Sequence, residues 1–378
     1  MINLLHIGLE WFPESGGGLE RMFYGFAQNF HYVDVNAQNL VSASEEIEDP
    51  NVHGFASPDS SLLARCLSER EAVSKLQKLH KFDLVASHFA LNTFPVLDKI
   101  SGVPLVFHFH GPWALESLAE KQQSGSVWIK RQIEQATYRS ASRFIVLSKA
   151  FKDILHREYG IPLERIHIVP GGVDMEQFST SRSQSEARVE LGWQEDRTTI
   201  LTVRRLSKRM GLENLILAIS KVRQQYPDVL LHIAGKGDLQ ADIEALIRER
   251  DLSNHVKLLG YVPDSQLPIA YRAANFSVVP TISLEGFGLI VIESLACGTP
   301  VLATPVGGIP EILSPFSSDL LMAGSSSEQI AQSLLEVLSG KRRLPSEEAC
   351  RAYIEKKYTW RIVAEQVKAV YKEAIASY

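Results

Sequence analysis

The chain has 378 residues, about two domains' worth, because a single hydrophobic core stops growing near ~250–300 residues. Hydrophobic residues make up 45% and charged residues 22%, with 24 glycines and 17 prolines, which excludes a disordered, collagenous or low-complexity chain. A formal net charge of −5 argues against a protein that coats nucleic acid, while leaving open one anionic ligand held by a local basic cluster.

Residues 2–8 are short and apolar and run into Pro13-Glu14-Ser15-Gly16-Gly17-Gly18. Leu19, Met22, Phe23 and Phe26 then recur at helical spacing, so the opening reads as strand, glycine-rich loop and helix. Further strands are predicted at 84–87, 104–108, 144–147 and 166–169, the last ending in Pro170-Gly171-Gly172. Near Thr198 the grammar restarts, with strands at 199–203, 229–234, 256–259, 276–279 and 301–303. Helices at 212–225, 239–250, 265–273, 290–296 and 327–338 alternate with them. In the third of these helices Asp264 is expected to cap the start, and Pro268 falls in the first turn, where a missing N–H costs little.

Strands alternating with helices imply parallel sheets covered on both faces. The expected fold class is α/β: two Rossmann-like, doubly wound domains facing across a cleft, at 1–175 and 188–358, with the polar stretch 179–185 as linker. The tail, 360–378, places Ile362, Val363, Val367, Val370 and Tyr371 on one helical face, which must be buried, and packing back across both domains is one solution. Cys66, Cys297 and Cys350 have no metal-ligand spacing and read as reduced thiols. No apolar run reaches the ~18–20 residues that span a bilayer, and the start lacks the features of a signal peptide. A cytoplasmic location is the expectation.

The most informative segment is Glu285-Gly286-Phe287-Gly288-Leu289-Ile290-Val291-Ile292-Glu293. Its glycines open a helix whose free N–H groups suit a phosphate, and its two carboxylates can accept hydrogen bonds from sugar and ribose hydroxyls. A strand-to-helix turn with two solvated acids has the same spacing. Ala296-Cys297-Gly298-Thr299-Pro300-Val301 and Gly307-Gly308-Ile309-Pro310-Glu311 follow; His232-Ile233-Ala234-Gly235-Lys236-Gly237 and Pro170-Gly171-Gly172-Val173-Asp174 precede.

Together these motifs resemble the retaining glycosyltransferases of family 4, which have the GT-B fold and transfer sugars from nucleotide donors. The resemblance is closest over 198–315 and implies a UDP-sugar donor. Glu285 would then hold sugar hydroxyls, Glu293 the ribose, and the turn 285–289, with Gly286, Phe287, Gly288 and Leu289, the phosphates. The family's basic pair sits in Gly-Arg-Leu-x-x-x-Lys-Gly. Here the stretch is Arg204-Arg205-Leu206-Ser207-Lys208-Arg209-Met210-Gly211. Arg205 matches the family arginine, whereas Met210 stands where lysine is expected, with Arg209 the best substitute and Lys208 the next. Fixed cations are needed because the departing diphosphate gains charge in the transition state.

The resemblance also places Gly17 and Gly18 against the donor phosphates, Gly235 in the donor site, Tyr261 and Val262 by the base, and His110 against the donor sugar. His88 and the Ser148-Lys149 pair are weaker candidates. No Asp-x-Asp or Cys-rich cluster offers metal ligands, so no metal and no cofactor is expected. The implied reaction moves a hexose, glucose first, to an acceptor hydroxyl with retention, in assembling exopolysaccharide, envelope polysaccharide or glycolipid. The acceptor, a sugar or a lipid-linked sugar, is unidentified. Rival readings are a nucleotide-sugar epimerase or phosphorylase on the same fold, and a non-catalytic sugar-nucleotide-binding protein. A nicotinamide dehydrogenase is discounted by the missing Gly-x-Gly-x-x-Gly. Basic residues at 65–81 and at Lys130, Arg131, Arg139 and Arg143 could touch an anionic membrane surface on the inner face of the plasma membrane, although the acidic run Glu45-Glu46-x-Glu48-Asp49 favours solvated helix faces.

Overall fold

The structure, a computed structural model, describes residues 1–14, 16–43, 47–120 and 123–378. Ser15 of the glycine-rich loop and Glu45 and Glu46 of the acidic run lie outside the described residues. The chain divides into two compact units, Met1–Gly172 with Trp360–Tyr378, and Val173–Thr359.

The first unit is built on seven strands: β1 (Ile2–Glu10), β2 (Val35–Ser42), β3 (Val52–Gly54), β4 (Leu84–Ser87), β5 (Leu105–Phe109), β6 (Arg143–Val146) and β7 (Ile166–Ile168). Their order is β3-β2-β1-β4-β5-β6-β7, and every pairing is parallel. Five of the seven stand within two residues of the predicted strands; β2 and β3 have no counterpart in the sequence reading. The segment Val35-Asn36-Ala37-Gln38-Asn39 reads as polar, yet Gln38 and Asn39 are buried. Their amides are satisfied by Asn51, whose side-chain oxygen accepts from Gln38 Nε2 at 3.2 Å and whose carbonyl accepts from Asn39 Nδ2 at 3.2 Å. Buried amides cost little once bonded, so polarity alone misjudged the strand.

The second unit carries β8 (Thr198–Val203), β9 (Val229–Ala234), β10 (Val256–Gly260), β11 (Phe276–Val279) and β12 (Val301–Ala303), ordered β10-β9-β8-β11-β12 and again parallel. The helix Leu212–Val222 lays Leu215, Ile216 and Ile219 onto Ile200, Leu231 and Ile233, the core of this unit. Two local expectations are corrected. Asp264 does not cap the following helix, which runs Leu267–Ala273 from Gln266 without a side-chain cap, although Pro268 does sit in its first turn. The supposed linker ends as a helix, Gln184–Leu191, started by a capping box between Ser183 and Glu186. Its Arg188 is buried and donates to the Ala273 carbonyl at 2.9 Å and to Asn275 Oδ1 at 2.8 Å, which ties the segment into the second unit.

The last helix, Trp360–Ala376, returns to the first unit and buries Val363, Val367, Val370 and Tyr371, with Ile362 half-buried. Its Trp360 ring occupies the space that a Cβ on Gly25 or Gly172 would need, so both positions must stay bare. In each sheet the strand order reverses once, between β1 and β4 and between β8 and β11. Ligands of such folds collect at the carboxyl ends of the strands beside that reversal.

Candidate active site

In the second unit the reversal places the residues after β8 beside the loop after β11. Leu206 is buried and its N–H donates to the Lys236 carbonyl at 3.0 Å, while the Arg204 N–H donates to the Ala234 carbonyl at 2.8 Å. These anchors fix the turn that carries the basic residues. Arg204 Nη2 donates to both Glu285 and Thr281, and the two charged side chains are only 8% and 13% exposed. Arg209 Nη1 donates to the Leu284 carbonyl at 3.1 Å, and its own carbonyl accepts from the Ile282 N–H at 2.8 Å. Arg204 therefore holds both ends of the 281–285 loop and Arg209 its middle. Arg205 and Lys208 are exposed, and Met210 is buried in the turn.

The same loop is held from beneath. The Gly308 N–H donates to the Glu285 carbonyl at 3.0 Å, and a Cβ on Gly307, at φ +60°, would overlap that carbonyl. Thr281 is fully buried, and its carbonyl accepts from Thr304 Oγ1 at 2.6 Å. Leu284 adopts φ 55°, a rare conformation for a branched side chain and one that clusters at functional loops. Gly286, Phe287 and Gly288 are buried, and Gly288 at φ 97° starts the helix Leu289–Ala296. Glu293 lies on that helix, nearly buried, with Oε2 3.4 Å from the Tyr271 hydroxyl. Gly235 approaches the Arg204 carbonyl too closely for any Cβ. Tyr261 is exposed, and the Lys236 ammonium lies 6.0 Å from its ring centroid.

Thr202 Oγ1, Arg204 Nε and Ser207 Oγ, on and after β8, are buried without a hydrogen-bond partner. Each such atom costs roughly 1–3 kcal/mol. Arg204, held against Glu285 ahead of the glycine-opened helix, thus keeps one donor that an oxygen-rich ligand would satisfy.

In the first unit Gly17 caps the helix Gly18–Asn29, and the nearly buried Glu20 carboxylate lies against it. Ser148 caps the helix Lys149–Tyr159, accepting from the Phe151 N–H at 3.2 Å. At the carboxyl ends of β4 and β5 stand His88, His108 and His110. His6, in the middle of β1, joins them, its Nε2 2.8 Å from His88 Nε2. His88 Nδ1 is 2.8 Å from His110 Nε2, and His108 Nε2 is 2.8 Å from the Tyr371 hydroxyl. Burial lowers His6 to about 3 and His110 to about 4, and holds His88 and His108 well below the ordinary range, so all four rings are neutral at pH 7. Three of them, His88, His108 and His110, offer ligand atoms within 4.8 Å of one another, the one such group among the described residues.

Two family models divide the chain between them. One, described as Glycosyl transferases group 1, matches residues 183–360, and the other, Glycosyltransferase Family 4, matches residues 16–177. The chain is a family 4 glycosyltransferase of the GT-B fold. Among its relatives is an uncharacterized glycosyltransferase of Methanocaldococcus jannaschii, 28% identical with 97% of each chain covered. A D-inositol 3-phosphate glycosyltransferase of Pseudarthrobacter chlorophenolicus is 30% identical over 70% of this chain and 64% of its own. A solved structure of like fold is Anabaena HepE in complex with UDP-glucose, with TM-score 0.78, 20% identity and 100% of both chains covered.

Within this glycosyltransferase the structure sets Arg209 against Leu284 and Ile282, just ahead of Glu285 and the turn 286–289, and leaves Arg205 and Lys208 exposed. It adds Arg204, which the sequence reading passed over in favour of its neighbour. It also adds His6, inside the first predicted strand, and Asn39, in a segment to which no element was assigned. The signal for Arg204 was present, since an arginine stands where the family pattern has glycine.

Proposed function

We propose that this glycosyltransferase moves a hexose, glucose first, from a UDP-sugar to an acceptor hydroxyl with retention at the anomeric carbon. The observation that carries the reading is the convergence of Arg204, Arg209 and Glu285 on one loop that opens into a helix N-terminus. A leaving diphosphate gains negative charge as the anomeric C–O bond breaks, and preorganised cations and N–H groups there stabilise that charge most. Arg204 and Arg209, supported by Arg205, Lys208 and the backbone of Gly17 and Gly18, fill that role. Glu285 accepts from sugar hydroxyls, Glu293 from the ribose, and His110 faces the sugar. Tyr261, Val262 and Gly235 line the base and phosphate region.

As the acceptor oxygen bonds to the anomeric carbon, its proton passes to the leaving phosphate oxygen on the same face. The products are the glycoside and UDP, and no separate base is required. Cationic side chains take the place of a divalent ion. The acceptor belongs to a polysaccharide or glycolipid under assembly in the cytoplasm or at the inner face of the plasma membrane. No helix among the described residues is long and apolar enough to cross a membrane.

A screen of UDP-, GDP- and ADP-sugars with chelator present tests donor and metal together. The expected result is binding and slow hydrolysis of UDP-glucose. Preference for a GDP- or ADP-sugar, or activity lost to the chelator and restored by a divalent ion, would overturn the corresponding part. Binding without turnover on any acceptor extract would make the chain a sugar-nucleotide-binding protein.

A further inference from the structure

We propose that Asn39, His6 and His88 form a one-directional hydrogen-bond relay that fixes the proton of His110 on Nε2 and leaves His110 Nδ1 as a lone-pair acceptor for a ligand hydroxyl. The role of that acceptor toward a sugar rests on the transferase reading; the relay itself rests only on the contacts in the first unit.

The direction is set at the buried end. Asn39 Nδ2 donates to the Asn51 carbonyl at 3.2 Å, so the amide oxygen must face the other way, toward His6 Nδ1 at 2.8 Å. Flipping the amide would set its oxygen against the Asn51 carbonyl, two acceptors in contact. Because Oδ1 can only accept, His6 carries its proton on Nδ1. A neutral imidazole has one N–H, so His6 Nε2 is a lone pair and the proton between it and His88 Nε2 belongs to His88. His88 Nδ1 is then a lone pair, and the proton shared with His110 Nε2 belongs to His110. Only Nδ1 of His110 remains, and it can only accept. His110 is also the one ring of these three that is not fully buried, so the free nitrogen is on the member that can meet a ligand.

The surroundings hold the relay in place. His6 stacks on Phe23 with ring centroids 4.0 Å apart, and Phe26 and Phe30 pack edge-on or tilted around His6 and His88. His108 stacks on His88 at 4.1 Å and 12°, and its Nε2 is engaged by Tyr371, so it stands beside the chain without joining it. That geometry also separates the relay from a metal site. Imidazole lone pairs lie in the ring plane, and nearly parallel stacked rings cannot aim theirs at one ion.

The experiment is a long-range proton–nitrogen correlation spectrum of the ligand-free full chain, labelled with nitrogen-15 at histidine. Signals are assigned by their loss in single histidine variants. The expected result at pH 7.5 is a neutral Nδ1–H tautomer for His6 and neutral Nε2–H tautomers for His88 and His110. Asn39→Ala should mix the tautomers of His110. A pure Nδ1–H tautomer at His110, or stoichiometric zinc binding that shifts His88, His108 and His110 together, would overturn the relay. If Asn39→Ala does not fold, the wild-type spectrum still decides. The spectrum needs no substrate, so a chain that binds no sugar nucleotide would refute the transferase reading and leave the relay standing. The expected tautomer in the wild type, with mixed tautomers but an unaltered donor KM in a folded Asn39→Ala, would remove only its role toward the sugar; an unmixed tautomer in that variant would overturn the relay.

Discussion

The guanidinium of Arg204 and the carboxylate of Glu285 form an ion pair across 81 positions of sequence, joining the end of β8 to the loop after β11. Both side chains are nearly withdrawn from solvent, and Thr281 shares the same Nη2. A buried pair of this kind costs desolvation, and removing one partner strands the other's charge. Arg204 Nε, buried with no partner, leaves one donor for a ligand oxygen. The loop acid is therefore held and partly neutralised before any donor arrives.

Arg204→Gly should lower kcat/KM by about 10²-fold or more, the loss seen when one preorganised donor to a developing oxyanion is removed. Adding Met210→Lys to that variant restores the family pattern at both positions and should recover at least part of the loss. Steady-state transfer from the donor found by the screen is the measurement. Near-normal rates for Arg204→Gly would mean that the exposed Arg205 and the loop suffice.

Glu293→Ala should weaken UDP binding by about 1–3 kcal/mol, the usual consequence of removing one side of a hydrogen bond. Titration calorimetry reads this directly. Unchanged affinity would exclude Glu293 from the ribose site.

Tyr371→Phe should destabilise the chain by about 1–3 kcal/mol, because it strands His108 Nε2 in a site where both groups are buried. Urea unfolding of the variant against wild type gives the number. A change near zero would show that this contact does not hold the last helix to the first unit.

Glu69 gives a pH signature. It is 2% exposed, its Oε1 has no partner, and burial pushes its carboxyl up to about 9, with Arg65 opposing. The folded chain keeps this proton through a range in which the unfolded chain has released it. The contribution of Glu69 therefore favours folding below about 4.5 and declines until about 9. The slope cannot exceed ~1.4 kcal/mol per pH unit. The stability of Glu69→Gln relative to wild type should therefore rise with pH between 5 and 8. Parallel profiles would show that the carboxyl is ionised and solvated. Comparing the two proteins cancels the opposite trend of the buried histidines, whose lowered values add stability as pH rises toward 6.5.

Much of this was legible because period and punctuation carry it. Glycines at 286 and 288 mark the helix start, and the strand endings at Gly235 and Gly172 mark turns that side chains cannot occupy. Arg204 was marked in the sequence only as an arginine where the family pattern has glycine; its partner is fixed by β8 and β11 lying side by side, a fact of sheet order. His6 reads as one polar residue in an apolar strand; only β1 pairing with β4 places it against His88. Asn39 lies in a segment to which no element was assigned, and its buried amide is accounted for only by the carbonyl of Asn51.

The seat of Trp360 between Gly25 and Gly172 sets an order of events during synthesis. The first unit closes only around a helix that leaves the ribosome after all of Val173–Thr359. Until then the surfaces of Phe26, Phe30 and His108 that this helix covers stand open. The earliest-made sheet is thus the last to be finished, and a chain that stalls before residue 360 carries an unsealed apolar groove for chaperones or proteases to find.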